Sequence, residues 1–286
     1  MEAEVHEFAD WFCQHYGQDF RLYRHATLAS RLRHICSRLD LDGPHALRDW
    51  ISRHPDQVDG VVDQLCVPVS DLFREPETFA ELRRLVFPHL SSFPSITVWL
   101  AGCAAGQEAY SMAILLAEAG LLSRSRIFAS DISADALARA ARGLVPAEQV
   151  QAARSRYHDA GGSGLLDRHF SPRGSEMQIA RELMSHISFV RHNLATDWVF
   201  CEANLILCRN VLIYFQPELQ ARALDIFADS LARGGRLCLG QREQPLAGTN
   251  HFARKPGSRW IYRPMRPAGQ PLRTGGLVPP SDERMT

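Results

Sequence analysis

Residues 96–108 read Ile-Thr-Val-Trp-Leu-Ala-Gly-Cys-Ala-Ala-Gly-Gln-Glu, an apolar, β-prone run that enters a glycine turn and then a helix start. Such a run suits a central parallel strand covered on both faces. Gly102 and Gly106 bracket a tight turn in which a missing Cβ lets the backbone approach a ligand closely. From Ala109 the pattern is helical, with Gly120 as its C-terminal stop. A second apolar run, Ile127-Phe128-Ala129, ends at Ser130-Asp131. It puts a carboxylate at a strand terminus, where a ribose-binding acid belongs.

Dinucleotide and S-adenosylmethionine (SAM) folds share a glycine turn and a distant acid, so charge has to separate them. A dinucleotide lays its pyrophosphate on the helix N-terminus, yet this helix opens with Gln107-Glu108, and an anionic Glu108 repels a diphosphate. A sulfonium ligand with an amino group favours it. The Gly-x-x-x-Gly spacing also departs from Gly-x-Gly-x-x-Gly. SAM therefore leads over NAD and over a nucleotide-free doubly wound domain whose glycines only turn the chain.

The 286 residues suffice for one large or two modest domains. Thirty-two basic residues cancel thirty-two acidic ones, which argues against holding nucleic acid by bulk electrostatics. Seven cysteines are an odd number. Cys103, Cys208 and Cys238 lie in apolar runs where thiols pack as small hydrophobes, so a reducing, cytoplasmic setting is expected. No spacing suits zinc, and no metal is expected. No run is long enough to cross a membrane.

Residues 1 to about 90 read as helical. Val5, Phe8, Ala9, Phe12 and Cys13 share one face. A helix from about Thr27 carries Leu28, Leu32, Ile35 and Leu39, flanked by Arg24, Arg31 and Arg38, which form either a solvated flank or a docking surface. Helices are predicted over Ala46 to Arg53, Val58 to Leu65 and Glu77 to Leu90, with a proline-bearing connection around Arg74 between the last two. After the helix Ala134 to Arg142, regularity weakens from Pro146 to Glu176. Strands are predicted at Ile187 to Arg191, Leu205 to Cys208, Arg236 to Gly240 and Arg259 to Arg263, with an amphipathic helix over Pro217 to Ala232. The alternation makes an α/β domain with a mostly parallel sheet, whose ligand sits at the carboxyl ends of the strands, where Gly102, Asp131, Asn193 and Asn210 fall. The stretch 265–286 has no periodicity and is expected to be a flexible tail, as a linker to a further domain would be.

Four stretches together resemble the CheR family, the chemotaxis receptor methyltransferases. They are Leu72-Phe73-Arg74-Glu75-Pro76, Ala101 to Ser111, Ala129-Ser130-Asp131-Ile132, and Cys208-Arg209-Asn210-Val211-Leu212-Ile213-Tyr214-Phe215. Their order matches over about residues 5 to 264. The resemblance implies a helical N-terminal domain over 1–75, a linker helix over 76–90, and a Rossmann-like SAM-dependent methyltransferase domain over 91–264. It also implies an antiparallel β-subdomain inserted at about 155–190. Asp131 then binds the ribose hydroxyls, and Glu108 lies at the amino-acid end of the ligand. Asn193, Leu194, Arg209 and Asn210 line the pocket with Gly102 and Gly106, Pro68 and Ser70 touch the ligand from the linker, and Arg74 and Tyr214 face the transferring methyl. Pro68 stands where the family pattern has asparagine, Ser70 where it has threonine, Gln107 where it has glutamate, and Asn204 where it has aspartate.

The resemblance implies an enzyme that methylates glutamates on the cytoplasmic domain of a methyl-accepting chemoreceptor, acting as a monomer and leaving S-adenosylhomocysteine (SAH). The alternatives are a non-catalytic adaptor that binds SAM or receptor, and a small-molecule carboxylate methyltransferase. Amine methyltransferases of this fold carry Asn/Asp-Pro-Pro-aromatic after the fourth strand. Arg209-Asn210-Val211-Leu212 stands there instead, so amine methylation of nucleic acid is a minor alternative.

Overall fold

The computed structural model describes residues 2–66, 70–246 and 251–265; Pro68 and the tail beyond Met265 lie outside them. The chain opens with α1 (Glu2–Tyr16), α2 (His25–Arg38), α3 (Pro44–Arg53) and α4 (Val58–Leu65). Their apolar stripes close on one another around Phe8, Phe12, Phe20, Leu32, Ile35, Leu47, Ile51 and Val62. The connection then leads to α5 (Pro76–Leu85) and α6 (Phe87–Leu90). These two are one predicted helix broken at Val86, because Pro88 has no N–H to continue the ladder and its ring crowds the preceding turn.

Next come β1 (Ile96–Ala101), α7 (Gln107–Glu118), β2 (Ser125–Asp131), α8 (Ala134–Arg142), β3 (Leu144–Pro146), α9 (Ala147–Asp159), β4 (Phe170–Arg173) and β5 (Glu176–Ile179). They are followed by α10 (Arg181–Met184), β6 (Ile187–Arg191), β7 (Ala203–Cys208), α11 (Pro217–Ser230), β8 (Leu231–Leu239), β9 (Phe252–Arg254) and β10 (Ile261–Pro264). The main sheet runs β6-β2-β1-β7-β8-β10-β9. The first five strands are parallel, and β10 and β9 add antiparallel. β1 is central and buried on both faces. Ile96, Val98 and Leu100 pack with Met112 and Leu115 of α7, whereas Trp99 and Ala101 pack with Phe227 and Leu224 of α11. This two-sided burial is why the strand reads as a continuous apolar run.

The SAM-dependent methyltransferase fold class holds, with differences in detail. The antiparallel insertion starts at Leu144, earlier than the predicted 155, and orders as β3-β5-β4. Its first strand has only three residues and is separated from its partner β5 by the thirteen-residue α9, too short a segment for alternation to register. The helix predicted to run to Ala232 ends at Ser230, and Arg233-Gly234-Gly235 bulges inside β8, where Ala203 pairs with Leu231 and Leu205 with Arg236. The sheet edge is β9, which the sequence reading did not anticipate, and β10 lies inside it. Asn204 accepts the Thr97 N–H at 2.7 Å, a bond that needs only a side-chain carbonyl. Among the described residues no helix is long and apolar enough to cross a membrane.

The insertion is fastened to the sheet by Glu118 at the end of α7, whose side chain is 4% exposed. It accepts from Arg83 Nη1 at 3.0 Å, from the Ser163 N–H at 3.2 Å and from the Tyr157 hydroxyl. Burial alone raises a carboxyl pKa, but these donors together hold Glu118 below its ordinary value of 4.5. A depressed folded pKa stabilises the native state above the unfolded value and is lost as pH falls through the folded one. Glu118→Gln is therefore expected to cost about 1–3 kcal/mol near neutral pH. In thermal melts, the gap to wild type should narrow as pH drops below 4.5.

Candidate active site

The strand ends of β1, β2, β6 and β7 open into a cleft enclosing about 1070 Å³, its solvent-filled mouth included. Of the residues singled out in the sequence, Ser70, Arg74, Gly102, Glu108, Asp131, Asn193, Leu194, Arg209, Asn210 and Tyr214 line it. Gly106 does not line it, and Pro68 lies outside the described residues.

Both glycines answer to protein packing. Gly102 has φ +80°, and a Cβ there meets Val211 Cγ2 at 2.3 Å; at Gly106, with φ +89°, it meets Ala140 Cβ at 2.8 Å and the Tyr110 hydroxyl at 2.9 Å. Gly102 thus lets the loop after β1 seat against the loop after β7, and Gly106 lets α7 approach α8. The turn is held from β2: Ser130 O accepts Gly102 N at 2.8 Å and Cys103 N at 2.9 Å, and Trp99 Nε1 donates to Ser130 Oγ at 2.8 Å.

Asp131 has a structural task as well as an exposed edge. Its Oδ2 accepts the Ala104 N–H at 2.8 Å and its Oδ1 the Ser133 N–H at 3.0 Å. A carboxylate offers about four lone-pair sites, so these two bonds leave it able to accept from a further donor. Burial raises its pKa, against the pull of these N–H groups. Asn193, buried beside it, receives the Ala195 N–H on Oδ1 at 2.9 Å. The loop it begins is clamped by Arg222 of α11 through Leu194 O at 3.2 Å and Asp197 O at 2.9 Å.

Arg209 ties the other wall together. Its side chain is 2% exposed. Nη1 donates to Glu108 at 2.9 Å, and Nη2 to the Arg74 carbonyl at 2.5 Å and to Glu75 at 3.2 Å. The guanidinium lies 4.9 Å from the Phe79 ring centroid. Glu108 therefore shares its charge with a buried cation, and its repulsion of a diphosphate is weaker than the sequence suggests.

Two acids to which the sequence analysis gives no role brace this wall from behind. Glu75, at φ +54°, accepts from Arg209, from Asn210 Nδ2 at 3.1 Å and from Gln241 N at 3.2 Å. Burial works against its ionisation, but these partners hold its pKa below the usual carboxylate range. Glu243, 7% exposed, accepts Gly240 N, Asn210 N and Val211 N, each at 2.8 Å, and Ile213 N at 3.3 Å. Every donor is a backbone N–H, so the carboxylate form is the one this geometry fits. It lets Asn210 hold φ +59° at the start of the segment that carries Tyr214. A lone acid four residues after the end of β8 carries no periodic signal, and its neighbours in the sequence do not single it out.

The helical layer contributes to the cleft too, through Tyr23, Thr27, Leu65 and Cys66. Tyr23 pairs with Phe215 in an isolated antiparallel bridge, with ring centroids 5.0 Å apart.

This donor set is a site of mixed character. A carboxylate with spare lone pairs, a second carboxylate at a helix start, apolar walls from Ile132, Leu194, Val211 and Phe215, and two arginines surround one cavity. Residues 68–261 match the model of the CheR methyltransferase SAM-binding domain, and residues 3–66 match that of the CheR methyltransferase all-alpha domain. The chain belongs to the CheR family. It is 40% identical over 228 residues to a methyltransferase named Cher3 from Pseudomonas putida, covering 80% of this chain and 84% of that protein. It is 34% identical over 191 residues to a chemotaxis protein methyltransferase of Listeria innocua, covering 66% and 70%. A match of 35% identity to a 104.1 kDa protein of Rhodobacter capsulatus covers 77% of this chain but only 24% of that one. Solved methyltransferases align in part only. For magnesium protoporphyrin IX methyltransferase from Synechocystis PCC 6803 with bound SAH, the figures are 18% identity, 58% of this chain, 54% of that chain and a TM-score of 0.33, too low to carry an argument.

SAM is the cofactor of this CheR family member, and the cavity suits it. Carboxylates accept from hydroxyl and ammonium groups, and Asp131 and Glu108 both line the cavity. Asp131→Ala removes the acceptor and releases the Ala104 N–H, so calorimetry should show SAM and SAH affinity falling by roughly ten- to a hundredfold. Glu243→Gln turns an amide group toward N–H donors. SAH affinity should fall by about tenfold even though Glu243 is outside the cleft wall; unchanged affinity means the segment keeps its shape without that carboxylate.

Proposed function

We propose that this CheR family protein transfers methyl from SAM to glutamate side chains on the cytoplasmic domain of a methyl-accepting chemoreceptor. The observation that carries this reading is the presence of Arg74 and Tyr214 on the walls of the cleft that also holds Asp131 and Glu108. The names of relatives as chemotaxis protein methyltransferases support the substrate class.

A glutamate side chain, with a pKa of about 4.3, is ionised at neutral pH and needs no general base. The protein's work is to position it and to exclude water. Orientation of this kind contributes roughly 7–11 kcal/mol to a rate, and removing water favours a step in which opposite charges neutralise each other. When bound, SAM supplies an electrophilic methyl on a sulfonium sulfur. Arg74 offers the carboxylate a planar fork, and Tyr214 a hydroxyl donor. The neighbouring cation, Arg209, is committed to Glu108, Glu75 and a carbonyl.

The docking face is α2, where Arg38 is exposed and Arg31 half-buried. Arg24 contributes less to that face, since its Nε donates to Phe215 O at 3.3 Å. Reversing Arg31 and Arg38 to glutamate should weaken receptor methylation and its salt sensitivity while SAH affinity stays put. Labelled SAM incubated with receptor cytoplasmic domains tests the substrate, and absence of label across them removes it. In single-turnover assays at saturating SAM, Tyr214→Phe should transfer roughly five- to a hundredfold more slowly with near-normal SAM binding. Arg74→Lys keeps the charge and loses the fork, so it should be slower than a purely electrostatic role allows. Wild-type rates in both remove these residues from the chemistry.

A further inference from the structure

The chain between α1 and α2 reaches across to the segment that carries Tyr214. Arg24 N donates to Tyr214 O at 2.7 Å, and Gln216 N donates to Leu22 O at 2.8 Å. Tyr23 sits between them, bridged to Phe215, with its ring 4.8 Å from Phe20 and 5.0 Å from Phe215. Gln216 Nε2 closes the join by donating to Tyr23 O at 3.0 Å. On its far side the Tyr214 segment is held by Glu243 and by Gln220, whose Nε2 donates to Leu212 O and Phe215 O at 3.0 Å each. The Tyr214 carbonyl is thus bound from the helical layer, and α2 begins at His25, one residue beyond that bond.

We propose that Leu22–Arg24 is a positioning element for Tyr214, which connects helix α2 to the transfer site. The claim rests on the reading of Tyr214 as the hydroxyl that faces the reacting carboxylate. It gives the helical layer a part in the chemistry beyond holding a partner: a protein seated on α2 acts on the segment whose backbone sets Tyr214.

The join at Arg24 can be broken by one substitution. Arg24 has φ −59° and ψ 124°, so proline, with φ near about −65°, fits the local backbone, deletes the N–H and sets its ring against the Tyr214 carbonyl, which parts the two segments. Tyr23, bridged in an extended pairing, has the conformation favoured before proline. Arg24→Ala loses the same side chain and keeps the N–H, so the ratio of the two variants reports the join between the two segments.

Full-length Arg24→Pro and Arg24→Ala, each with and without Tyr214→Phe, are compared in single-turnover transfer from SAM to the receptor cytoplasmic domain that wild type methylates. The expected result is a rate about tenfold lower for Arg24→Pro than for Arg24→Ala, about 1.4 kcal/mol, with SAH affinity within threefold and no difference between the two once Tyr214 is phenylalanine. A ratio that persists in the Tyr214→Phe background, or equal rates in the parent, overturns the proposal. Hydrogen exchange needs no substrate: the Gln216 amide should exchange about tenfold faster in Arg24→Pro than in Arg24→Ala, and equal exchange also overturns it. Tyr214→Phe at the wild-type rate instead sinks the catalytic reading, a failure the exchange measurement distinguishes from failure of the positioning element.

Discussion

The guanidinium of Arg209 is the buried charge around which the site is built. A cation with 2% of its side chain exposed is tolerated only when the lost hydration is replaced, and here three oxygens replace it. Glu108 comes from the start of α7, and Glu75 and the Arg74 carbonyl from the connection that leaves the helical layer. Desolvation opposes the charge, and the two carboxylates more than offset it. Removing one partner of such a cluster costs about 3–5 kcal/mol because it strands the others. The cluster therefore fixes where the connection crosses the mouth of the parallel sheet, and with it the origin of the Arg74 side chain.

The same economy recurs around the cleft, where irregular backbone is held by single acceptors that collect several N–H groups. Ser130 O takes two, Asp131 two and Glu243 four. Loops in this position have no ladder to satisfy their donors, and a buried N–H left unpaired costs free energy comparable to a lost hydrogen bond. The left-handed conformations at Phe73, Glu75, Ala104 and Asn210 cluster in these loops. Such residues persist where the surroundings over-determine them, and the acceptors supply that constraint.

Enough of the chain's own grammar was legible to reach the family. The run from Ile96 to Ala101 had to be a doubly covered strand, the acid at Asp131 had to close the next one, and the segment Cys208 to Phe215 carried the resemblance to the CheR methyltransferases. These signals are local: hydrophobic period, turn residues and a carboxylate at a strand end follow from the residues within one element. Ten of the residues proposed for the site line one cleft for that reason, since carboxyl ends of parallel strands converge in any such sheet.

What the tertiary structure alone decided concerns pairs distant in sequence. Gly106 packs on Ala140; Glu243 and Glu75 order the loops; Glu118 fastens the insertion; Tyr23 reaches Phe215. The short β3, the bulge in β8 and the edge strand β9 belong to the same group, because three residues hold no period and a strand's partner is set by the sheet. The identity of a side chain states which bonds it can make. Only the packing of elements determines which partner stands within 3 Å, and in a cleft formed by loops that choice is most of the chemistry.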